Sequence, residues 1–544
     1  MNKIKITKGD IFGGITAGVV ALPLALAFGV QSGLGAAAGL YGAIMLGFFA
    51  AIFGGTPSQI SGPTGPMTVV TAATVGGFVS LAGSVEAALG AIVACFILSG
   101  LLQVLMGIIK LGSLIKYIPY PVISGFMSGI GVIIILLQLF PAIGQPSPAG
   151  TIEVVKEIGP ALASLDIYAA MYTAITIAII YIFPRITKAV PGTLVALLLV
   201  TVLSVLLGHP VPVIGDIPAG IPEIQIGSIL SIPTEFYRTI IEAAITLAAL
   251  GAIDSLLTSV VADNVTRTRH NSNRELIGQG IGNTLTGLVA GIPGAGATMR
   301  TLVNIRSGGR NRISGVIHSL VLLIILLGAG KYAALIPKSV LAGVLITVGI
   351  GILDYKGFKH IRKVPRADVV IMFIVLFLTV FLDLLIAVAA GMILATLLFM
   401  KKMSVIVEEK TGTSSVRSYM EENDHAEIEL PAELSENVLV KTIEGPLFFG
   451  FASSFQEKIN SLKDIHYVVI DMKQVPFIDQ TGLYALEDAV LSLEQRNINV
   501  LLIGLQGQPR DKLQAIKIIP DLVEESHIFK TVPLAIEWLR ENKY

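Results

Sequence analysis

GIPGAGATMR, residues 291–300, places three glycines, a proline and a terminal arginine within ten positions, between strongly apolar segments. Such a run breaks a helix rather than continuing it. ISGPTGPMTVV, residues 60–70, carries the same signature. What these breaks mean depends on their solvent. The 544 residues are 53% hydrophobic and 14% charged, with a mean hydropathy of +0.79, so most of the chain belongs in a bilayer.

About 20 apolar residues cross a bilayer as a helix. On that measure spans are predicted near 11–30, 35–54, 86–108, 118–141, 166–184, 190–208, 239–261, 276–291, 312–330, 335–352, 368–384 and 385–402. The two broken runs open shorter spans near 64–80 and 296–305, which makes fourteen crossings. Loop charge orients them, because Lys and Arg concentrate in short cytoplasmic loops. With the N-terminus inside, 20 of the 25 Lys and Arg residues of positions 1–403, from Lys3 and Lys5 through Lys188 to Lys402, fall on the cytoplasmic side. Lys156, Lys331, Lys338 and the boundary residue Arg238 fall outside, and Arg300 falls within a span. Both termini are therefore expected in the cytoplasm and the spans in a plasma membrane. MNKIKITKGD (1–10) is a short basic lead without a cleavage pattern, so 11–30 is expected to be a first span.

Each broken run opens the third span of a seven-span half, a little over 50 residues after that half begins. An odd number of crossings inverts the second half relative to the first. Discontinuous helices at matching places in an inverted repeat point to a transport site near the midplane. A helix starting inside the bilayer leaves its first N–H groups unpaired, and these with the macrodipole attract an anion. Glycine lets the backbone approach the ligand, and proline suits a first turn. The alternative for either run alone is close packing or a kink.

Charge inside a span is costly and points to function. EAAITLAALGAIDSLLTSVVADN (242–264) holds Glu242 and Asp263 near its ends, where an interfacial role is expected, and Asp254 in its middle. Thr258, one turn on, shares the face of Asp254. This carboxylate and hydroxyl suit Na+; the carboxylate could instead carry a proton or pair with Arg300. Arg300 itself either snorkels toward the cytoplasmic surface or supplies positive potential behind the anion site. Asp383 is expected at an outer interface, and His270 and His360 in solvated basic loops. The single cysteine, Cys95, sits in an apolar run and reads as a core residue.

From about 437 the pattern changes to short strands alternating with amphipathic helices: NVLVKTI, HYVVIDM and INVLLIGL against SSFQEKINSL, TGLYALEDAVLSLEQR and PLAIEWLRENK. This predicts a cytoplasmic α/β domain at 437–544, joined by a charged linker at 404–436 to the membrane domain at 1–403. Residues 404–544 hold 13 Lys and Arg against 23 Asp and Glu, which argues against nucleic-acid binding through a basic patch.

VVIDMKQVPFIDQTGLYAL (468–486) resembles the central strand, loop and helix start of a STAS domain. DIFGGITAGVVALPLALAFGVQSGLGAAAGLYGA, GPTGPMT and GAIDSLLTSVVAD with NSNRELIGQGIGN and GIPGAGATMRT resemble the SulP/SLC26 anion transporters, in particular their BicA-type sodium-dependent bicarbonate group. The resemblance covers nearly the whole chain. It implies an α-helical polytopic membrane protein of fourteen spans in a seven-plus-seven inverted repeat, UraA/SLC26-like, with core and gate domains, a STAS domain and a homodimeric assembly. It also implies that Asp254 and Thr258 hold Na+ with Gly296 and Thr298. Bicarbonate would then bind between Thr64 and Gly65 on one side and Gly296, Ala297 and Thr298 on the other, with Arg300 beside it.

Two departures stand out. Pro23 is followed by Leu24 where many members have Gln, and Phe28 replaces a tyrosine, which implies a more apolar pocket and weakens a transfer of sulfate chemistry. In the STAS loop Gln480 follows Asp479 where antagonist proteins carry a phosphorylated Ser, leaving Thr481 as the candidate regulatory position. Na+- or H+-coupled transport of sulfate or a dicarboxylate is the alternative within the class. A membrane-anchored STAS sensor or scaffold is the alternative of another class. No zinc motif, Walker loop or hydrolytic triad can be assembled, so an enzyme is not expected.

Overall fold

A computed structural model of the chain describes residues 7–148, 150–187, 190–215, 220, 223–382, 384–422, 437–460 and 465–542. Lys3, Lys5, Lys188 and Asp383 lie outside the described residues. The chain divides into two compact units, 1–393 and 394–544.

The elements of the first unit are α1 (Lys8–Gln31), α2 (Ala36–Phe53), β1 (Ser61–Gly62), α3 (Gly65–Ala82), α4 (Val85–Ile108), α5 (Tyr120–Ala142), α6 (Thr151–Ala163), α7 (Ile167–Ile186), α8 (Gly192–Leu207), α9 (Tyr237–Thr266), α10 (Ser272–Leu288), β2 (Ala295–Gly296), α11 (Thr298–Arg306), α12 (Arg312–Ala333), α13 (Lys338–Ile352), α14 (Tyr355–Lys359) and α15 (Arg366–Phe381); α16 (Leu384–Lys410) runs on into the second unit. Each predicted span coincides with one of these helices. Helices α6 and α14 have no counterpart among the predicted spans. Among the described residues, eight helices are long and apolar enough to cross a bilayer, and α8, Arg312–Gly328 of α12 and α13 are shorter apolar ones.

The helices sort into two bundles. In one, α10 packs on α4 and α2, α1 on α12 and α2, and α9 on α4. In the other, α5 packs on α13 and α15, and α7 on α13 and α8. The opening helices of both halves thus form a core domain and the closing helices a gate domain. Asp10 fastens the core at one end: it completes a capping box with Thr7 at the start of α1, and its Oδ1 accepts the N–H groups of Arg310 (2.8 Å) and Asn311 (2.9 Å) ahead of α12. One buried carboxylate therefore serves two helix N-termini.

The second unit holds a five-stranded sheet in the order β3 (Gly412–Ser415), β4 (Val438–Glu444), β5 (Tyr467–Gln474), β6 (Asn499–Ile503) and β7 (Ile528–Phe529). The β3–β4 pair is antiparallel and the others are parallel. Its helices are α17 (Val416–Glu422), α18 (Phe449–Asn460), α19 (Gln480–Glu494), α20 (Gly507–Ala515), α21 (Ile518–Asp521) and α22 (Val532–Glu541). Strand alternation feeds two cores: Val468 and Ile470 pack with Phe455 and Leu486 on one face, and Val469 and Leu501 with Val416 and Leu539 on the other.

The expected linker, 404–436, is structured over its first part. Residues 404–410 finish α16, Gly412–Ser415 adds an edge strand, and Val416 and Met420 of α17 are buried in the sheet's core. Residues 423–436 lie outside the described residues. Charge marked the stretch as polar, but Val416 and Met420, with Tyr419 packed against the same cluster, dock it.

On β4, Lys441 is 1% exposed and its Nζ donates to Thr413 Oγ1 at 2.8 Å. Burial, with Lys458 adding to it, pushes its ammonium down to about 8 from 10.5. Between these values the folded form has released a proton that the unfolded chain still holds, so stability rises with pH across about 8 to 10.5. Lys441→Met is expected to stabilise the second unit at pH 7 by about 1–3 kcal/mol and to flatten that rise. The single tryptophan, Trp538, lies in α22 and reports this unit's unfolding by fluorescence in the intact protein.

Candidate functional site

Strands β1 and β2 are antiparallel, with Ser61 opposite Gly296 and Gly62 opposite Ala295, so the two sequence breaks meet. Helices α3 and α11 start from that crossing. Neither has a side-chain cap. Thr64, at the N-cap of α3, turns its hydroxyl away and donates from Oγ1 to Asp254 Oδ2 at 2.7 Å. Ala297, at the N-cap of α11, has no polar side-chain atom to offer. The first-turn N–H groups of both helices are thus free of side-chain competition for an anion.

Helix α9 supplies the opposite wall, with Asp254 6% exposed and Ser255, Thr258 and Ser259 fully buried. Thr258 Oγ1 donates to the Gly296 carbonyl (2.8 Å) and lies 2.7 Å from Thr298 Oγ1. Ser255 Oγ accepts the Gly296 N–H at 3.1 Å. Asp254 and Thr258 share a face as predicted, yet each engages a different break. A carboxylate, two hydroxyls and a carbonyl are hard oxygen donors of the kind that suit an alkali or alkaline-earth cation.

Gly65 shows where the site lies in the fold. A Cβ there would come within 2.7 Å of Ile134 on α5 and 3.0 Å of Ile352 on α13, both gate side chains, and 3.9 Å from Phe28 on α1. The start of α3 therefore faces the boundary between core and gate, with Phe28 as part of its apolar surround.

Arg300 is 1% exposed and donates from Nη2 to the Pro63 carbonyl, which belongs to the other break. It does not snorkel. Among the described residues, Asp254 and Arg300 make no direct ion pair, but the two buried charges lie within electrostatic reach of one another, so the pairing alternative for Asp254 is reduced to attraction at longer range. Gly62 is what admits the guanidinium: its φ is +155°, and a Cβ would lie 2.6 Å from Arg300 Nη1.

Several partners were not foreseen. Ser255 had a signal, since polar residues at 254, 255, 258 and 259 mark one stripe of an otherwise apolar helix. Gln59, which lies against Gly296, and Glu275, which accepts from Gln59, had none comparable. His270 is not a solvated loop residue: its ring is 9% exposed and its Nδ1 lies 2.7 Å from Asp263 Oδ2. Glu242 pairs with Arg238 at 2.8 Å on an exposed face, in keeping with an interfacial place. Cys95 is fully buried.

In the second unit Asp479 caps α19. Its Oδ1 accepts the Gly482 N–H at 2.7 Å and its Oδ2 the Phe449 N–H at 3.1 Å, which joins the starts of α18 and α19. Thr481 is exposed in the first turn of α19.

The sulfate permease family profile matches residues 7–375, and the STAS domain profile matches residues 429–535. The bicarbonate transporter BicA of Picosynechococcus sp. is 43% identical over 517 residues, covering 94% of this chain and 91% of that protein. The solved transmembrane domain of a cyanobacterial bicarbonate transporter BicA is 46% identical, with a TM-score of 0.65 over 70% of this chain and 98% of that one. Murine Slc26a9, an anion transporter solved in the inward-facing state, is 20% identical, with a TM-score of 0.84 over 100% of this chain and 93% of that one. That last likeness is one of fold.

Proposed function

The chain belongs to the sulfate permease family and carries a STAS domain; from that premise we propose that it is a Na+-coupled bicarbonate importer. Its family and relatives are transporters rather than enzymes. The observation that carries the reading is the convergence of two uncapped helix starts with an oxygen cluster on α9, joined by the 2.7 Å contact of Thr64 with Asp254 and the 2.8 Å contact of Thr258 with Gly296.

The physical logic is one of complementary charge. Asp254 alone repels an anion. Na+ held by Asp254, Thr258, Thr298 and the Gly296 carbonyl removes that repulsion and leaves the positive ends of α3 and α11 to act. Bicarbonate bound between Thr64–Gly65 and Ala297–Thr298 then strengthens Na+ binding by the same factor. Movement of the core against the gate would expose the site alternately, in a homodimer with both termini in the cytoplasm. The high identity to bicarbonate transporters over nearly full length supports this anion over sulfate.

The test is uptake of labelled bicarbonate, sulfate and fumarate into proteoliposomes under an inward Na+ gradient, an inward H+ gradient or neither. Bicarbonate accumulation that requires the Na+ gradient is expected. Accumulation of sulfate or fumarate instead, or H+-driven uptake indifferent to Na+, would overturn it.

A further inference from the structure

Behind the crossing, Glu275 of α10 is 1% exposed and accepts four hydrogen bonds. Oε2 takes the backbone N–H groups of Gly55 (2.7 Å) and Thr56 (2.8 Å); Oε1 takes Nε2 of Gln59 (2.8 Å) and Nε2 of Gln279 (2.8 Å). Four N–H donors converging on two oxygens are the complement of an ionised carboxylate. Among the described residues no cation lies within ion-pair distance of it, and Arg312, which donates from Nη2 to the Gly54 carbonyl at 2.6 Å, is a cation within electrostatic reach.

Both amides lead to the site. Gln59 accepts from Ser259 Oγ through Oε1 at 2.9 Å, so its orientation is fixed with Nε2 toward Glu275. That same Nε2 lies against Gly296, where a Cβ would come within 2.1 Å of it. Gln279 Nε2 also donates to Ser61 Oγ at 2.6 Å. One amide thus backs β2 and the other backs β1. Ser259, beside Thr258 on α9, closes the circuit through Thr56 Oγ1 at 2.7 Å.

We propose that Glu275 is a positioning residue of the transport site: its carboxylate braces both crossing strands through Gln59 and Gln279 and so sets the spacing of the two helix starts without touching the anion. This rests on the reading of the crossing as an anion site. Glu275→Gln keeps the side chain's shape but offers one acceptor and two donors where four donors meet. The backbone donors of Gly55 and Thr56 cannot turn, so the new amide must present its NH2 to Gln59 and Gln279. Those amides must then turn over beside Gly296 and Ser61. Glu275→Asp keeps the charge and all-acceptor chemistry on a shorter stem.

The experiment measures uptake by wild type, Glu275→Gln and Glu275→Asp in proteoliposomes, against concentration of whichever anion wild type accumulates, bicarbonate, sulfate or fumarate. Glu275→Gln is expected to raise the half-saturating anion concentration by about tenfold while the maximal rate changes by less than about threefold, with Glu275→Asp between it and wild type. An unchanged half-saturation in Glu275→Gln, with only a lower thermal midpoint, would make Glu275 a fold residue and overturn the proposal. If Glu275→Gln does not fold, Glu275→Asp decides: wild-type half-saturation overturns the proposal, and a rise supports it. Wild type carrying sulfate rather than bicarbonate sinks the bicarbonate reading and leaves this test intact. Wild type accumulating none of bicarbonate, sulfate and fumarate overturns both.

Discussion

Asp254→Asn is expected to reduce Na+-stimulated bicarbonate uptake by about a hundredfold or more, to the level of empty liposomes. The substitution is nearly isosteric. The new amide oxygen can still accept from Thr64 Oγ1, now 2.7 Å from Asp254 Oδ2, so the start of α3 keeps its partner and the protein should still insert. What it loses is the negative charge on which the proposed cation site depends. With Thr258, Thr298 and the Gly296 carbonyl unchanged, only neutral oxygens remain, and these compete poorly with water for Na+. Under the proposed coupling of cation and anion, bicarbonate affinity falls along with Na+ dependence. The measurement is initial uptake at several Na+ concentrations on variant protein shown monodisperse by gel filtration. Wild-type Na+ dependence in Asp254→Asn would remove Asp254 from the cation site and the coupling scheme with it.

The reach of the sequence was set by how local each feature is. Spans and breaks were legible because hydropathy and Gly/Pro runs act within about one helix length, and pairing 60–70 with 291–300 needed only span counting. The shared face of Asp254 and Thr258 followed from helix periodicity. That Asp254 meets Thr64 and Thr258 meets Gly296 was not readable there, since it depends on where β1 and β2 cross relative to α9. Glu275 is the extreme case. Its backbone donors come from Gly55 and Thr56, 220 and 219 positions away, and it sits just before the predicted span at 276, where an acidic residue looks interfacial. Burial by a distant chain segment leaves no local trace. The stretch 404–422 failed for a related reason: its charge was visible, but the docking of Val416 and Met420 required the sheet they dock on.

Arg300 was ambiguous in sequence because its place in α11 fixes its backbone but not the path of so long a side chain; burial and the bond to Pro63 now direct it to the other break. Two roles remain physically distinct, a brace between the breaks and a source of positive potential for the anion, and substitutions separate them. Arg300→Met should do the most damage, raising the half-saturating anion concentration by about ten- to a hundredfold and lowering the thermal midpoint. It removes both the charge and the donor to a buried carbonyl, a loss of about 1–3 kcal/mol for the carbonyl alone. Arg300→Gln keeps a donor able to reach toward Pro63 and gives up the charge. Arg300→Lys keeps the charge and gives up the planar fork. If the field matters, Arg300→Lys binds anion more tightly than Arg300→Gln, and the difference shrinks little with salt, because a group 1% exposed is poorly screened. If only the brace matters, thermal stability follows the donor geometry while anion half-saturation stays alike in the two variants. Wild-type half-saturation in Arg300→Gln would reduce Arg300 to the brace and leave anion attraction to the uncapped starts of α3 and α11 with the bound cation.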